Sequence, residues 1–284
     1  MKKIVFVSDM FAEKYAGGAE LTTEALIQSS QHEIEKIQSA DLQKAHITAN
    51  PDTFWVFGNF GDMPPELRHH FIKNEKYAVL EYDYKFCKFR NPSLHEVAGQ
   101  SGCECEKNFS GKLNSLFLHK AKATFWMSEV QKNTHAAKFP FLEKSNNIVL
   151  SSIFGDDVLD KIATMDTSNK NEKWIILNSP SLIKNVKGTI RFAEEHNLEY
   201  ELVWRLEYDE LLKKLASSRG LLFLPTGEDT CPRLVIEAKL LDCEIIMNDK
   251  IQHKDEEWFQ EKETMIEYLR ERPTVFWEEI KKHV

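Results

Sequence analysis

Apolar positions in this chain come in short runs set between stretches of helical spacing. Ile4 to Val7, Glu33 to Ile37, Thr53 to Phe57, Tyr77 to Glu81, Thr124 to Met127 and Ile148 to Leu150 each read as a strand. Runs that are apolar on both faces suit strands buried in a parallel sheet. Between them lie helical patterns. One runs from the Gly17-Gly18 turn to about Ser29, with Leu21, Ala25 and Leu26 on its inner face. Others cover Pro65 to Ile72, Lys112 to Ala121 and Glu129 to Ala137, the last with Ser128 as its N-cap. Strands alternating with helices predict an α/β chain built on doubly wound, mostly parallel sheets.

The pattern repeats in the second half. Trp174 to Leu177, Tyr200 to Trp204, Leu221 to Leu224 and Glu244 to Met247 read as strands. Lys187-Gly188 opens a helix that runs through His196, and Leu211, Leu212 and Leu215 line the next one. Pro232 suits the first position of a further helix, where its missing N–H costs nothing, and Leu234, Ala238 and Leu241 give that helix its apolar face. The polar stretch Asp166 to Lys173 has no periodicity and reads as the join between two domains. After Asn248, Glu256 to Arg270 has helical spacing, Pro273 is expected to break it, and Val275 to Lys282 forms a last helix. The expected division is residues 1–165, 173–255 and a helical tail, 256–284.

Composition narrows the classes. A chain of 284 residues has room for two modest domains, and 42% hydrophobic content supplies their cores. A formal net charge of −8 argues against a general nucleic-acid binder. No apolar run reaches the roughly 20 residues of a membrane span. The opening MKKIVFVSDM is interrupted by Ser8 and Asp9 and reads as a first strand, not a leader. Five cysteines, odd in number and irregularly spaced, point to reduced thiols and a cytoplasmic location.

The chemistry sits in loops that follow strands. The stretch LLFLPTGEDTCPRLVIEAKLLDCEIIM, Leu221 to Met247, is a β–loop–α–β unit. Its loop, Thr226 to Cys231, lies where open α/β sheets bind ligands, and the free N–H groups of the following helix favour phosphate. Asp229 is in that loop and Glu237 follows eight residues later. Two readings of these acids are open: a ligand pair, or a capping residue and a solvated helix residue. Gly17-Gly18 makes a similar strand-to-helix turn, where a backbone without Cβ atoms can approach a ligand closely or simply turn tightly.

Asp229 and Glu237 resemble the E-x7-E signature of retaining glycosyltransferases of the GT-B fold, family 4 in particular. Pro225, Asp229, Glu237 and Ala238 match in place, with Asp229 standing for the first Glu, whereas Thr230, Cys231 and Pro232 depart from the usual Gly-Phe-Gly. Lys187-Gly188 resembles the family's Arg-x4-Lys-Gly element. Leu182 occupies the Arg position and Lys184 is the nearest cation. Gly17-Gly18-Ala19-Glu20 is similar to the family's Gly-Gly turn after the first strand. Phe125 to Lys132 looks like the last strand-to-helix turn of its first domain, and Glu81-Tyr82-Asp83-Tyr84 sits where many members carry a His-Asp pair.

The resemblance implies two Rossmann-like domains facing a cleft, with C-terminal helices returning to the first. It implies a nucleotide-sugar donor, UDP- or GDP-linked, bound mainly to the second domain, and a saccharide or other glycan acceptor on the first. Glu237 would accept from ribose hydroxyls. Asp229 would hold the sugar, and Lys187, with Lys184, would offset the diphosphate charge. Glu228, Thr230, Cys231 and Arg233, with Gly17 and Gly18, would line the substrates. No metal or other cofactor is required for such a transfer, no Asp-x-Asp metal motif is present, and retention of configuration comes from the family alone. Two rivals stand beside this reading: a non-catalytic nucleotide-sugar-binding or docking protein derived from a transferase, and a transferase acting on DNA bases, which the acidic charge disfavours.

One constellation lies outside that scheme. Cys87, His95, Cys103 and Cys105 are spaced C-x7-H-x7-C-x-C. Three thiolates and an imidazole make a structural zinc set, although the common spacings are C-x2-C or C-x4-C. The other reading is a loop with scattered thiols.

Overall fold

The first strand shows why this sequence builds a sheet. In β1 (Ile4–Ser8) all five residues are buried, so both faces must be covered. The computed structural model describes residues 3–49, 51–99 and 101–284. By compactness the chain forms two units: Met1–Gly155 with Leu269–Val284, and Asp156–Tyr268.

In the first unit β1 is followed by α1 (Gly18–Gln28), β2 (Ile34–Gln38), α2 (Lys44–Ala49), β3 (Phe54–Phe57), α3 (Pro65–Asn74) and β4 (Tyr77–Glu81). Then come α4 (Pro92–Gly99), α5 (Phe109–Lys120), β5 (Thr124–Trp126), α6 (Glu129–Lys138) and β6 (Asn147–Val149). The six strands lie in the order β2-β1-β3-β4-β5-β6, and every pair is parallel. Alternate residues such as Val7, Trp55, Phe57 and Val79 face one layer of the core, together with Phe71 and Phe117. Phe57 meets the rings of Phe71 and Phe117 edge-on at 4.8 and 5.1 Å, geometry worth about 0.5–1.5 kcal/mol per pair beyond area burial. On the other face Phe276 packs against Phe6 and Phe125, and the Trp277 indole N–H donates to the Leu26 carbonyl at 3.0 Å. The end of the chain thus belongs to the first unit's core.

The second unit runs α7 (Asp156–Ala163), β7 (Trp174–Leu177), α8 (Val186–Glu195), β8 (Tyr200–Val203), α9 (Tyr208–Ser217), β9 (Gly220–Phe223), α10 (Arg233–Leu240) and β10 (Glu244–Met247). Its four strands are parallel in the order β10-β9-β7-β8. The central strands β7 and β9 are buried almost throughout, and the edge strands β8 and β10 are partly exposed. Asp166 to Lys173 carries neither helix nor strand and lies inside this unit. Lys170 ties it down by donating to the carbonyls of Ala216, Ser218 and Leu241 at 3.2, 3.1 and 2.8 Å.

The strands and principal helices lie where the apolar pattern puts them, within a few residues. Three points correct it. Pro273 does not break the C-terminal helix: α11 (Lys262–Lys281) runs through it. A proline inside a helix costs about 3 kcal/mol, and buried Leu269, Phe276 and Ile280 anchor both flanks. The same helix starts later than its periodicity suggests, because a 3₁₀ turn at Glu257–Phe259 buries Trp258 and Phe259 first. Pro232 is the N-cap of α10 and not its first residue, since its ψ of 116° is extended. The short helices α2 and α4 carry too few apolar positions to be read from periodicity, whereas α7 has a legible apolar face in Val158, Leu159 and Ile162 that the pattern reading passed over.

Candidate functional site

In the second unit the chain leaves β7 toward β8 on one side and returns to β9 on the other. The carboxyl ends of β7 and β9 therefore flank a topological switch point, the place where open α/β sheets take ligands. The two loops there are laced together. Thr226 donates its N–H to the Ile183 carbonyl at 2.9 Å and its hydroxyl to the Leu182 carbonyl at 3.0 Å. Asn185, in the left-handed conformation at φ 50°, caps the space before α8 and donates from Nδ2 to the Leu224 carbonyl at 2.9 Å. A third loop joins from β10: Asp229 donates its N–H to the Lys250 carbonyl at 2.8 Å and accepts from the Gln252 N–H at 3.1 Å.

Across this junction the Lys184 ammonium pairs with the Asp229 carboxylate. Lys184 also lies over the Phe223 ring, 4.9 Å from its centroid. Lys187 stands exposed in the first turn of α8 with no carboxylate partner among the described residues. The Lys184 and Asp229 turns, read separately from sequence, thus share one sheet edge. Glu228 lies on the same loop, 3.9 Å from Lys250. Thr230 and Cys231 are buried.

Glu237 is not a solvated helix residue. It is 2% exposed, accepts from the Tyr208 hydroxyl at 2.7 Å, and lies 3.5 Å from Nε of buried Arg233, one turn earlier on α10. Burial raises its carboxyl pKa, and the Arg233 charge and Tyr208 hydrogen bond oppose that rise. Burial likewise raises the Tyr208 phenol, reinforced by the neighbouring Glu237 charge. Tyr208 escapes sequence reasoning because it reaches Glu237 from the start of a different helix, and no local motif marks it.

Gly17 and Gly18 belong to the first unit, at the start of α1. Gly17 has an ordinary φ of −83°. Its lack of a side chain matters for space: a Cβ there would come within 2.4 Å of the Glu20 carboxylate and 2.5 Å of the Tyr15 ring.

The first unit has its own switch point, between β1 and β3, and a polar network that the sequence reading missed fills it. The Asp9 carboxylate accepts from the N–H groups of Gly61 and Asp62 at 3.0 and 3.1 Å. Arg90, in the left-handed conformation at φ 56°, donates from Nε to Asp83 at 2.7 Å and from Nη2 to Asn59 at 2.5 Å, and its Nη1 is 3.6 Å from Asp9. Beneath it, fully buried Glu81 pairs with buried Lys85 at 3.2 Å, and burial raises the Glu81 pKa against the Lys85 charge. Two signals were legible: Glu81 and Asp83 lie in a stretch already singled out by resemblance, and Asp9, Asn59 and Asp83 all lie one to two residues beyond a strand end.

Beyond β4, the side chains of Cys87, His95, Cys103 and Cys105 converge, with all four potential ligand atoms within 4.8 Å of one another. They form a cluster capable of binding a metal ion. Among the described residues no helix is long and apolar enough to cross a membrane.

No protein-family model matches the chain, and no curated protein matches it by sequence. Solved structures do match in fold. The N-terminal domain of Candida albicans trehalose-6-phosphate phosphatase is similar at a TM-score of 0.52 and 8% identity, over 100% of both chains. A UDP-forming alpha,alpha-trehalose-phosphate synthase from Burkholderia xenovorans is similar at a TM-score of 0.54 and 9% identity, over 100% of this chain and 96% of that one. With two parallel-sheet units already in view, these likenesses give the chain a GT-B-like fold of two Rossmann-like domains.

Proposed function

We propose that this chain is a glycosyltransferase of the family 4 kind, moving a sugar from a UDP- or GDP-linked donor to a glycan acceptor with retention and without a catalytic metal. The observation that carries the proposal is the junction of the β7 and β9 loops at the second unit's switch point. There the Lys184–Asp229 pair, the start of α8 and exposed Lys187 lie on one sheet edge. In this reading the second unit binds the donor and the first presents the acceptor. Lys187 and the first N–H groups of α8 face the diphosphate. Positive charge and helix N-termini fixed in place before the reaction stabilise the charge that grows on a departing diphosphate. Lys184 stands in for the cation missing at Leu182. Asp229, released from Lys184, takes sugar hydroxyls. The synthase to which the fold is similar is described as UDP-forming, which supports a nucleotide-diphosphate product here.

The test is ligand-induced stabilisation. A nucleoside diphosphate that binds only the folded chain raises its stability by about 2.7 kcal/mol at a hundredfold excess over Kd. UDP and GDP are expected to shift the melting temperature, and Lys187→Ala to weaken diphosphate binding and lower kcat while uncharged nucleoside binding stays the same. No shift with UDP, GDP, ADP, CDP or dTDP at millimolar concentration would sink the proposal.

A second reading is a nucleotide-sugar-binding protein that no longer turns over. Two observations favour it: Glu237 is buried against Tyr208 and Arg233, and Asp229 is engaged by Lys184. Nucleotide binding without sugar transfer or donor hydrolysis would select it.

A further inference from the structure

We propose that Cys87, His95, Cys103 and Cys105 hold a structural zinc ion that clamps the crossover between β4 and α5 and thereby fixes Arg90 in the first unit's polar network. The distances fit one ion. Nδ1 of His95 lies 3.5 Å from the Cys87 sulfur and 3.4 Å from the Cys105 sulfur. A tetrahedral zinc with Zn–S of about 2.3 Å and Zn–N of about 2.0 Å separates sulfur from nitrogen by about 3.5 Å and sulfur from sulfur by about 3.8 Å. The whole set lies within 4.8 Å, close enough for small side-chain rotations to complete the tetrahedron. Three thiols with one imidazole is a donor set of closed structural zinc sites, with no position left for substrate.

The three cysteines are buried, and none is in a disulfide. Lys138 brings a positive charge to the same loop, donating to the Cys103 carbonyl at 3.1 Å.

The clamp has something to hold. Among the described residues of 82–108 the only regular structure is α4 and one 3₁₀ turn, Cys105–Lys107. The backbone at Cys105 is pressed against the start of α5, where a Cβ on Gly111 would come within 2.1 Å of the Cys105 carbonyl oxygen. Arg90 sits between the first two ligands. Its N–H donates to the Cys87 carbonyl at 2.8 Å and its carbonyl accepts from the Tyr84 N–H at 3.2 Å. That turn aims the guanidinium at Asp83, Asn59 and Asp9. Tethering Cys87 to the distant Cys103-x-Cys105 therefore fixes the turn that delivers Arg90. This inference does not depend on the proposed transferase activity.

The test starts with untagged full-length protein purified under reducing conditions without chelator. Elemental analysis is expected to give about one zinc per chain, and Cys105→Ser to bring this below half. If the variant fails to fold, the parent still decides the matter. Exchanged with Co²⁺, it is expected to show the strong visible bands of tetrahedral cobalt–thiolate ligation. Zinc removal is expected to speed amide exchange across 84–108 while β1, β3 and β4 keep their protection. Three results would overturn the proposal: neither zinc nor cobalt bands, a thiol count short by two in metal-free protein, or unchanged exchange in 84–108 after zinc is removed.

Discussion

The two sheet edges of this protein use the same architecture differently. In each unit the first strand lies inside a parallel sheet, so a switch point opens beside it. At the first unit's edge, each charge is paired within the unit. Glu81 and Lys85 are paired out of solvent, and Asp9, Asn59, Asp83 and Arg90 interlock from separate loops. At the second unit's edge the Lys184–Asp229 and Lys250–Glu228 pairs tie the loops together, and exposed Lys187 has no carboxylate partner among the described residues. A network that satisfies itself serves stability. A cation left over beside a helix N-terminus is available to a ligand. The same position in the fold is thus a structural knot in one unit and, in the function proposed above, the diphosphate seat in the other.

The largest test of this contrast is Lys85→Met. It strands the buried Glu81 carboxylate, and breaking a buried pair costs about 3–5 kcal/mol. The loss measured by urea denaturation is expected to be greater at pH 8 than at pH 5, where Glu81, its pKa already raised by burial, takes up a proton. An equal loss at both pH values would mean that Glu81 is not the group left stranded.

Next is Glu237→Gln. It keeps the shape of α10 but removes the charge facing Arg233 and leaves Tyr208 a neutral amide oxygen in place of a charged acceptor. Hydrogen bonds to charged groups contribute about 1.5–3 kcal/mol, and a destabilisation in that range is expected without any ligand. A neutral effect on unfolding would return Glu237 to the role of a ligand-facing acid.

Each unit also buries a histidine against aromatic rings: His135 beside Tyr84 and Trp126, His253 beside Trp258 and Phe259. Burial pushes both pKa values down to about 3 from an unfolded value of 6.5. The folded state then binds fewer protons. This contribution to stability is complete above pH 6.5 and is lost as pH falls toward 3, at about 1.4 kcal/mol per pH unit for each histidine. The raised carboxyls of Glu81 and Glu237 act in the opposite sense above the ordinary glutamate range. His253→Phe, whose ring nitrogens have no hydrogen-bond partner to lose, is expected to flatten the acid limb of a urea-midpoint profile between pH 6 and 4. An unchanged slope would show that His253 is protonated in the folded state.

The smallest effect is expected at Lys187. Lys187→Ala is expected to change stability by no more than about 0.5 kcal/mol, as is usual for an exposed residue, while diphosphate binding falls. A large loss of stability with no change in binding would make the second edge a structural knot like the first.

Much of the framework was legible before any coordinates. Ile4–Val7, Trp174–Leu177 and Leu221–Phe223 are apolar on both faces, which few structures other than parallel strands accommodate. The Asp229 loop was legible too, because a short strand, a loop and a helix follow each other directly and their relation is local. Tyr208 and Arg90 were not, since each finds partners through a different loop or helix. Pro273 was misread because local propensity gave way to buried residues on both sides of it.

What the sequence by itself determined is therefore everything carried by neighbours along the chain: the βα alternation, the loops that follow strands, and which residue types those loops present. The tertiary structure decided which of those residues meet. Strand order brought the Lys184 and Asp229 turns to one edge, and a long crossover gathered Cys87, His95, Cys103 and Cys105. It also decided which charges are buried, turning Glu237 from a surface acid into a hydrogen-bonded core residue. The physical reason is one of range. Backbone sterics and hydrophobic periodicity act over a few residues, whereas the partners of a buried polar group depend on which strands lie side by side.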